Sequence, residues 1–167
     1  MASRRGAVLA LAALALAGCG VRRVEGGVYH SGKGYRVAVP GDDWTVVGST
    51  TADLELRHPG GAGILVNASC DVPTRATPQI LALRLAGVLG DRVVVERDDV
   101  AVNGRPAGHT VLEGVVDRGG ARTRLEAYVM KDDRCVYDLL YAAPPDVFAR
   151  WRGDFARVVE SFTVPVR

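Results

Sequence analysis

Alternation between apolar and polar residues is the feature of this sequence that most constrains its fold. Every second residue is apolar over residues 64–70, 125–129 and 135–141. A period of two places alternate side chains on opposite faces of a β-strand. Within a Val-rich stretch, the dipeptide Asn103-Gly104 accepts positive φ at both positions of a tight hairpin turn. These patterns predict an antiparallel meander of strands.

Two segments have a helical period instead. Thr77 is typical of a helix N-cap and Pro78 of a first helical position, and Leu81 and Leu85 follow at helical spacing. A second helix is predicted to begin near Asp146. Its apolar stripe consists of Phe148, Trp151, Phe155, Val158 or Val159, and Phe162. Strands and helices in this order predict the α+β fold class, an antiparallel β-sheet flanked by helices.

The N-terminus has the layout of a secretory signal. Arg4 and Arg5 precede an unbroken apolar run over residues 7–17, which is too short to span a bilayer. We therefore assign residues 1–18 to a signal peptide. Residues 19–34 hold five glycines and are predicted to be a flexible tether. Residues 35–167 are predicted to be one folded domain.

Leu16-Ala17-Gly18-Cys19 resembles the lipobox of bacterial lipoproteins. The resemblance implies cleavage before Cys19, a diacylglycerol on its thiol and acylation, as with palmitate, of the new N-terminus. The membrane would then be one partner of the protein, through this lipid. Gly20 stands where an Asp would signal retention in the inner membrane. The resemblance thus implies a lipid-anchored protein of the bacterial cell envelope, at the outer membrane and facing the periplasm.

The charge balance argues against nucleic acid as a partner. The full chain carries 21 basic and 19 acidic side chains. Loss of Arg4 and Arg5 with the signal leaves 19 of each, and no basic run remains.

Two cysteines remain if Cys19 carries lipid. Cys70 and Cys135 lack C-x-x-C spacing and are far apart in sequence, and the compartment is oxidising, so we favour a structural disulfide. The alternatives are a redox couple, half of a metal site, or two separate buried thiols.

The start of the folded domain resembles a known fold family. The segment Tyr35-x-Val37-x-Val39-Pro40-x-x-x-Trp44 is similar to the opening of PsbP-like proteins, with one more residue between Pro40 and Trp44 than in that pattern. Two later segments are also similar, the hairpin at Val102-Asn103-Gly104 and the helix end at Glu160-Ser161-Phe162.

The PsbP-like family includes the lumenal PsbP subunit of photosystem II and small bacterial lipoproteins of the DcrB-like type. The resemblance covers most of residues 35–162. It implies an α/β/α sandwich and a protein that binds or assists other proteins. It implies no shared set of catalytic residues and no cofactor, and fold similarity alone does not carry a function.

A phosphate-loop pattern is present but lacks its context. Residues 27–33 match G-x-x-x-x-G-K, yet Gly34 follows where a hydroxyl would bind Mg²⁺, and no helix is predicted to start there. A glycine-rich tether fits this segment better.

The histidines offer an alternative function. His30, His58 and His109 lie at no metal-binding spacing, so a metal site would require them to converge with a carboxylate. The alternative hypothesis is therefore an envelope hydrolase or metal-dependent enzyme with a site near His58 and His109.

Asp138 alternates with apolar residues in a predicted strand. It is either a buried functional carboxylate, or a residue that faces solvent on the open side of the sheet, or a partner of Arg122 or Arg124 on a neighbouring strand.

The favoured hypothesis is a non-catalytic envelope protein that binds a protein or a small ligand. We predict neither a catalytic residue nor a metal or cofactor. The binding surface is expected on one face of the sheet or on the loops near Trp44 and Asn103-Gly104. A purely structural envelope component is the third hypothesis.

Overall fold

The structure is a computed structural model that describes residues 23–48, 51–71, 73–116 and 120–165. The predicted signal and Cys19 lie outside these residues. A short 3-10 helix spans Ala86–Val88. The other elements are β1 (Val24–Glu25), β2 (Val28–His30), β3 (Arg36–Ala38), β4 (Thr45–Val46), β5 (Leu54–Arg57), β6 (Gly63–Cys70), α1 (Pro78–Leu85), β7 (Gly90–Val102), β8 (Arg105–Val115), β9 (Arg122–Lys131), β10 (Cys135–Ala143) and α2 (Phe148–Ser161).

The strands form two antiparallel sheets. A seven-stranded sheet has the order β4-β5-β6-β10-β9-β8-β7, and a three-stranded sheet has the order β1-β2-β3. Strands β7 to β10 pair in sequence, which confirms the predicted meander. Asn103 and Gly104, with φ of 49° and 77°, make the predicted tight turn between β7 and β8.

The two helices lie on opposite faces of the large sheet. Strand β6 lies inside the sheet and β7 at its far edge, so the chain between them must cross one face, and α1 makes this crossing over β8 and β9. Leu112, Leu125 and Ala127 are buried on this side, which we name the α1 face. Helix α2 packs on the other side, the α2 face, against β10 and β3. The α/β/α sandwich is confirmed.

The α2 face carries the larger core. The ring of Phe155 stacks on that of Tyr141 with centroids 5.6 Å apart, and the Tyr141 hydroxyl donates a hydrogen bond to the carbonyl of Phe148 at 2.8 Å. Phe162 packs against Tyr35 and so joins the small sheet to the same core. The predicted aromatic stripe of α2 is therefore the surface that docks on the sheet.

The predicted tether does not extend to residue 34. Strands β1 and β2 are ordered there, and Tyr29 is only 3% exposed. Asp53 explains this order, because its carboxylate binds the ammonium of Lys33 at 2.8 Å and accepts a hydrogen bond from the Tyr35 hydroxyl at 3.1 Å. A Gly-rich segment contains too few apolar residues to reveal these distant partners, so the folded domain begins earlier than predicted.

The two remaining cysteines form the predicted disulfide. Cys70 ends β6 and Cys135 begins β10, and the two residues pair directly across these strands with their Cα atoms 4.0 Å apart. The bond confirms the favoured prediction and excludes two separate thiols.

Gly108 of β8 lies directly beneath α1. A Cβ atom on Gly108 would stand 2.4 Å from the backbone nitrogen of Gln79. The backbones of β8 and α1 can therefore touch only because no side chain lies between them.

Replacing Gly108 with alanine is expected to lower the free energy of unfolding by about 2 kcal/mol, because α1 must move away from the sheet. Urea denaturation measures this change. Gly153→Ala is the matched control, since a Cβ there meets no atom within 4 Å and alanine favours helix α2. Similar destabilisation of both variants would show that the close approach of α1 to β8 is not what Gly108 provides.

Candidate functional site

Among the described residues, the helix on the α1 face lies mainly over one part of it. Helix α1 packs on β8 and β9, whereas the neighbouring strands β10 and β6 are less covered on this face. Leu140 of β10 and Leu65 of β6 pair directly across these strands, and both are half-buried. Alternate residues of a strand point to one face, so Asp138 and Ala142 share this strip with Leu140.

The strip and the edge of α1 enclose a groove with a cavity of about 500 Å³. Val88 and Val116 line it and are 65% and 50% exposed. The apolar lining of this α1 groove includes Leu65, Leu85, Val88, Val116, Leu125 and Leu140.

One end of the α1 groove is bordered by Arg57. The side chain of Arg57 is 68% exposed and binds Glu55, whose own side chain is 11% exposed. The Arg57 guanidinium group thus faces solvent at this end of the groove, whereas the Glu55 carboxylate is shielded.

Asp138 lies at the other end, in an adjoining cavity of about 450 Å³. Leu85 of α1 lines both this cavity and the α1 groove. Burial raises the pKa of the Asp138 carboxyl group to about 6. Within the described residues its carboxyl group has neither a hydrogen bond nor an ion pair, so burial is uncompensated.

The structure decides among the three interpretations of Asp138. Arg122 and Arg124 do not bind it, because both guanidinium groups bind Glu113 on the opposite face of the sheet. Asp138 lies on the open side of the sheet, as the second interpretation predicted, but it is half-buried rather than fully solvated.

Sequence analysis did not single out Leu65 or Leu140. The signal for them is that Leu65 follows Ile64 and Leu140 follows Leu139, so adjacent residues of one strand are both apolar. Such a run gives a strand apolar side chains on both faces. The pattern does not show which face lacks a helix.

His109 meets a carboxylate, but inside the protein. Its Nε2 atom lies 2.9 Å from Glu126 Oε1. The imidazole ring of His109 stacks on the ring of Tyr128, with the two centroids 4.5 Å apart. His109 is 5% exposed and Glu126 is 2% exposed. Arg152 of α2 donates two hydrogen bonds to the Glu126 carboxylate at 2.9 Å. This cluster joins α2 to β8 and β9.

The pKa of Glu126 reflects these partners. Burial by itself would raise it, but the hydrogen bonds from His109 and Arg152 outweigh burial and hold the pKa below its ordinary value. Glu126 therefore stays ionised near neutral pH and serves as a structural anion.

His58 occupies a different part of the molecule. Its ring lies between those of Trp44 and Trp151, with centroid distances of 5.2 Å and 4.3 Å, and its Nδ1 accepts a hydrogen bond from the Gly60 amide. Four strand spacings of about 4.8 Å separate β5, which His58 follows, from β8, which holds His109. The structure does not bring His58 and His109 together.

Two further observations bear on the alternatives. Across residues 23–48, 51–71, 73–116 and 120–165, no cluster of three or more His, Cys, Asp or Glu side chains is arranged to hold a metal ion. No helix within those ranges is long and apolar enough to cross a bilayer.

The fold is that of the PsbP-like α+β proteins. The solution structure of cyanobacterial PsbP (CyanoP) from Synechocystis matches with a TM-score of 0.61 and 17% identity, over 83% of this chain and 91% of that chain. LpqN of Mycobacterium tuberculosis, described as involved in cell envelope biogenesis, matches with a TM-score of 0.62 and 13% identity, over 78% and 83%.

A third similar structure is PA94 from Pseudomonas aeruginosa, a protein of unknown function described as a putative regulator. It has a TM-score of 0.53 and 13% identity, over 79% of this chain and 90% of that chain. No family model matches the sequence, and no curated protein matches it. At these identities the likeness shows the fold, and it confirms the fold implied by the Tyr35 to Trp44 motif.

Proposed function

We propose that this chain is a non-catalytic binding protein of the bacterial cell envelope, anchored by a lipid on Cys19. In this proposal, the α1 groove receives a segment of another envelope protein. The observation that carries the proposal is the uncovered apolar strip at Leu65 and Leu140, bordered by Val88 and Val116. Apolar surface of this kind is stabilised when a partner removes it from water.

The charge at the Arg57 end specifies the partner further. The exposed guanidinium group of Arg57 favours negative charge on whatever enters there. We therefore infer that the bound segment is apolar and that acidic residues flank it at this end.

The location rests on the N-terminal sequence. Residues 16–19 resemble a lipobox and Gly20 follows them, which together favour an anchor at the outer membrane, facing the periplasm. That a protein of similar fold, LpqN, is described as involved in cell envelope biogenesis supports an envelope role. Both the anchor and the membrane remain part of the proposal.

The rival enzyme hypothesis has less support. It needs a cavity in which His58 or His109 meets a carboxylate and a substrate. His109 does bind Glu126, but both side chains are buried and Arg152 holds the carboxylate in an ion cluster. Joining α2 to the sheet is a structural role that accounts for this cluster without catalysis.

Site-specific photo-crosslinking in cells tests the proposal. A photoreactive amino acid is placed at Val88 or Val116 in the groove, and at Val46 as a control, because Val46 is 41% exposed on β4 outside the groove lining. We expect one discrete protein adduct from the groove positions and none from Val46. The crosslinked peptide, read by mass spectrometry, should be an apolar segment flanked by acidic residues.

Charge variants at Val88 sharpen the test. Val88→Glu should reduce the adduct formed through Val116 at least tenfold by repelling an acidic partner, and Val88→Lys should reduce it less. Neither change buries a charge, because Val88 is largely exposed.

A Cys19→Ser variant tests the lipid anchor. This variant should leave the membrane fraction and lose alkyne-palmitate labelling. A lipid adduct, a crosslinked peptide without acidic residues or an equal adduct from Val46 would contradict the proposal.

A further inference from the structure

We propose that Asp138 is a subsite for a lysine side chain of the bound segment, so that the α1 groove recognises a partner with a cationic group at one end and acidic residues at the other. This inference rests on the proposed function, because it names the partner chemistry of the same groove.

The geometry connects Asp138 with the groove. Asp138 and Leu140 share one face of β10, and Leu85 of α1 lines both cavities. An occupant that lies on Leu140 and continues along β10 towards Val136 must therefore pass over the Asp138 carboxyl group. The cavity at that point has a volume of about 450 Å³.

The half-buried Asp138 carboxylate has no hydrogen-bond or ion-pair partner among the described residues. A charged group removed from water needs a hydrogen bond or an opposite charge to offset the loss of hydration. Arg84 of α1 is the charged residue among the other described residues that line this cavity, and it forms no ion pair with Asp138. From β6 and the segment before α1, the neutral side chains of Ser69, Pro73 and Thr74 face the same cavity.

A lysine side chain fits this cavity in chemistry and shape. Its ammonium group supplies three donors to the carboxylate, and its four-carbon stem can lie along apolar walls such as Leu81 and Leu85.

The spacing between the two ends is defined by β10. Ala142 lines the same cavity as Arg57, and Asp138 lies four residues earlier in the strand. At about 3.3 Å per residue, the two ends are about 13 Å apart. The lysine of the partner should therefore lie about four residues from its acidic end in an extended segment, or about nine residues from it in a helix.

Recognition of a cation by Asp138 depends on pH. Burial raises the pKa of Asp138 to about 6, so its carboxylate is ionised above that pH and neutral below it. An alkylammonium group stays charged throughout this range. Affinity for the cation is therefore expected to fall about tenfold from about pH 7.5 to about pH 5, where about a tenth of the carboxyl groups remain ionised.

The experiment uses n-pentylamine as a probe of the subsite and n-pentanol as its uncharged equivalent. Each is titrated into the mature protein in lipid nanodiscs, and amide shifts around Ser69 and Val136 are followed by NMR. We expect Asp138→Asn to weaken n-pentylamine binding at least tenfold at about pH 7.5 and to leave n-pentanol binding unchanged. Asp133→Asn, which removes an exposed acid from the turn before β10, is the matched control and should bind like wild type.

Asp138→Asn should also fold, because its carboxyl group has no bond to lose, and its melting temperature at neutral pH should exceed that of wild type. Absence of a saturable shift, equal n-pentylamine affinity in Asp138→Asn, or equal affinity at the two pH values would overturn the subsite. If one of these results is found while the protein still forms its adduct at Val88, the lysine subsite alone is rejected. If instead the groove positions give no adduct but n-pentylamine binding still depends on Asp138, the proposed function alone is rejected.

Discussion

Removing the Cys70–Cys135 disulfide is expected to lower the free energy of unfolding by about 4 kcal/mol. The bond closes a loop of 65 residues, and on the chain-entropy account a loop of that length greatly restricts the unfolded chain. For a domain of this size, a loss of that order lowers the melting temperature by about 10–20 °C. Differential scanning calorimetry of a Cys70→Ala/Cys135→Ala variant measures the effect, and alanine avoids placing a hydroxyl at Cys135, which is 4% exposed.

Reduced wild-type protein is the control for this variant. If the effect belongs to the covalent bond, chemical reduction should lower the melting temperature of wild type to that of the double variant and leave the variant unchanged. Two titratable thiols in denatured, unreduced wild type, together with an unchanged melting curve in the variant, would show that the bond does not form.

Local patterns were sufficient to predict the layers of this fold. The alternation over residues 64–70 and 135–141 requires one apolar face, and these segments are strands β6 and β10. The aromatic spacing from Phe148 to Phe162 requires a helix with one buried stripe, and that stripe covers the α2 face. Both predictions succeed because the periodicity is set by the geometry of one element.

Contacts between distant elements could not be predicted in the same way. Asn103 was identified from its turn chemistry, but its side-chain amide also donates hydrogen bonds to the carbonyls of Glu160 and Phe162 at the end of α2. Asp53 carried no local signal, and yet it holds Lys33 and Tyr35 in place. These contacts depend on which elements meet, and a periodic pattern carries no such information.

The α1 groove also depends on how distant elements of the chain are arranged. Apolar residues on both faces of β10 are visible in the sequence, but the bare strip exists because α1 crosses β8 and β9 and not β6 and β10. The candidate site is thus a product of topology, and of its residues Asp138 was the one that sequence analysis singled out.

Replacing Arg152 with methionine is expected to lower the free energy of unfolding by about 2–3 kcal/mol at neutral pH. Breaking a buried ion pair by removing one partner costs about 3–5 kcal/mol, and the effect is smaller here because Arg152 is 37% exposed. Glu126 would lose both of its hydrogen bonds from Arg152 at a position that is 2% exposed, and Glu96 would lose its ion pair with Arg152. Methionine retains the apolar stem, so the loss reports on the guanidinium group.

Arg157→Met is the matched control on the same helix. Arg157 binds Asp154 at 2.5 Å, but its side chain is 59% exposed, so we expect a loss of less than about 0.5 kcal/mol. Urea denaturation at neutral pH compares the two variants. Equal losses would show that the cluster around Glu126 contributes no more than a surface ion pair.

The pH dependence of the Arg152→Met deficit identifies its cause. The pKa of Glu126 in the folded protein lies below its ordinary value of 4.5, so the stabilisation that it provides is present above that pH and is lost as the pH falls through the folded-state pKa. Without Arg152, burial raises the pKa of Glu126, and protonation then relieves the uncompensated charge. The difference in unfolding free energy between wild type and Arg152→Met should therefore be largest near neutral pH and should shrink as the pH approaches 4.5. A difference that stays constant over this range would assign the effect to packing of the Arg152 side chain rather than to the charge on Glu126.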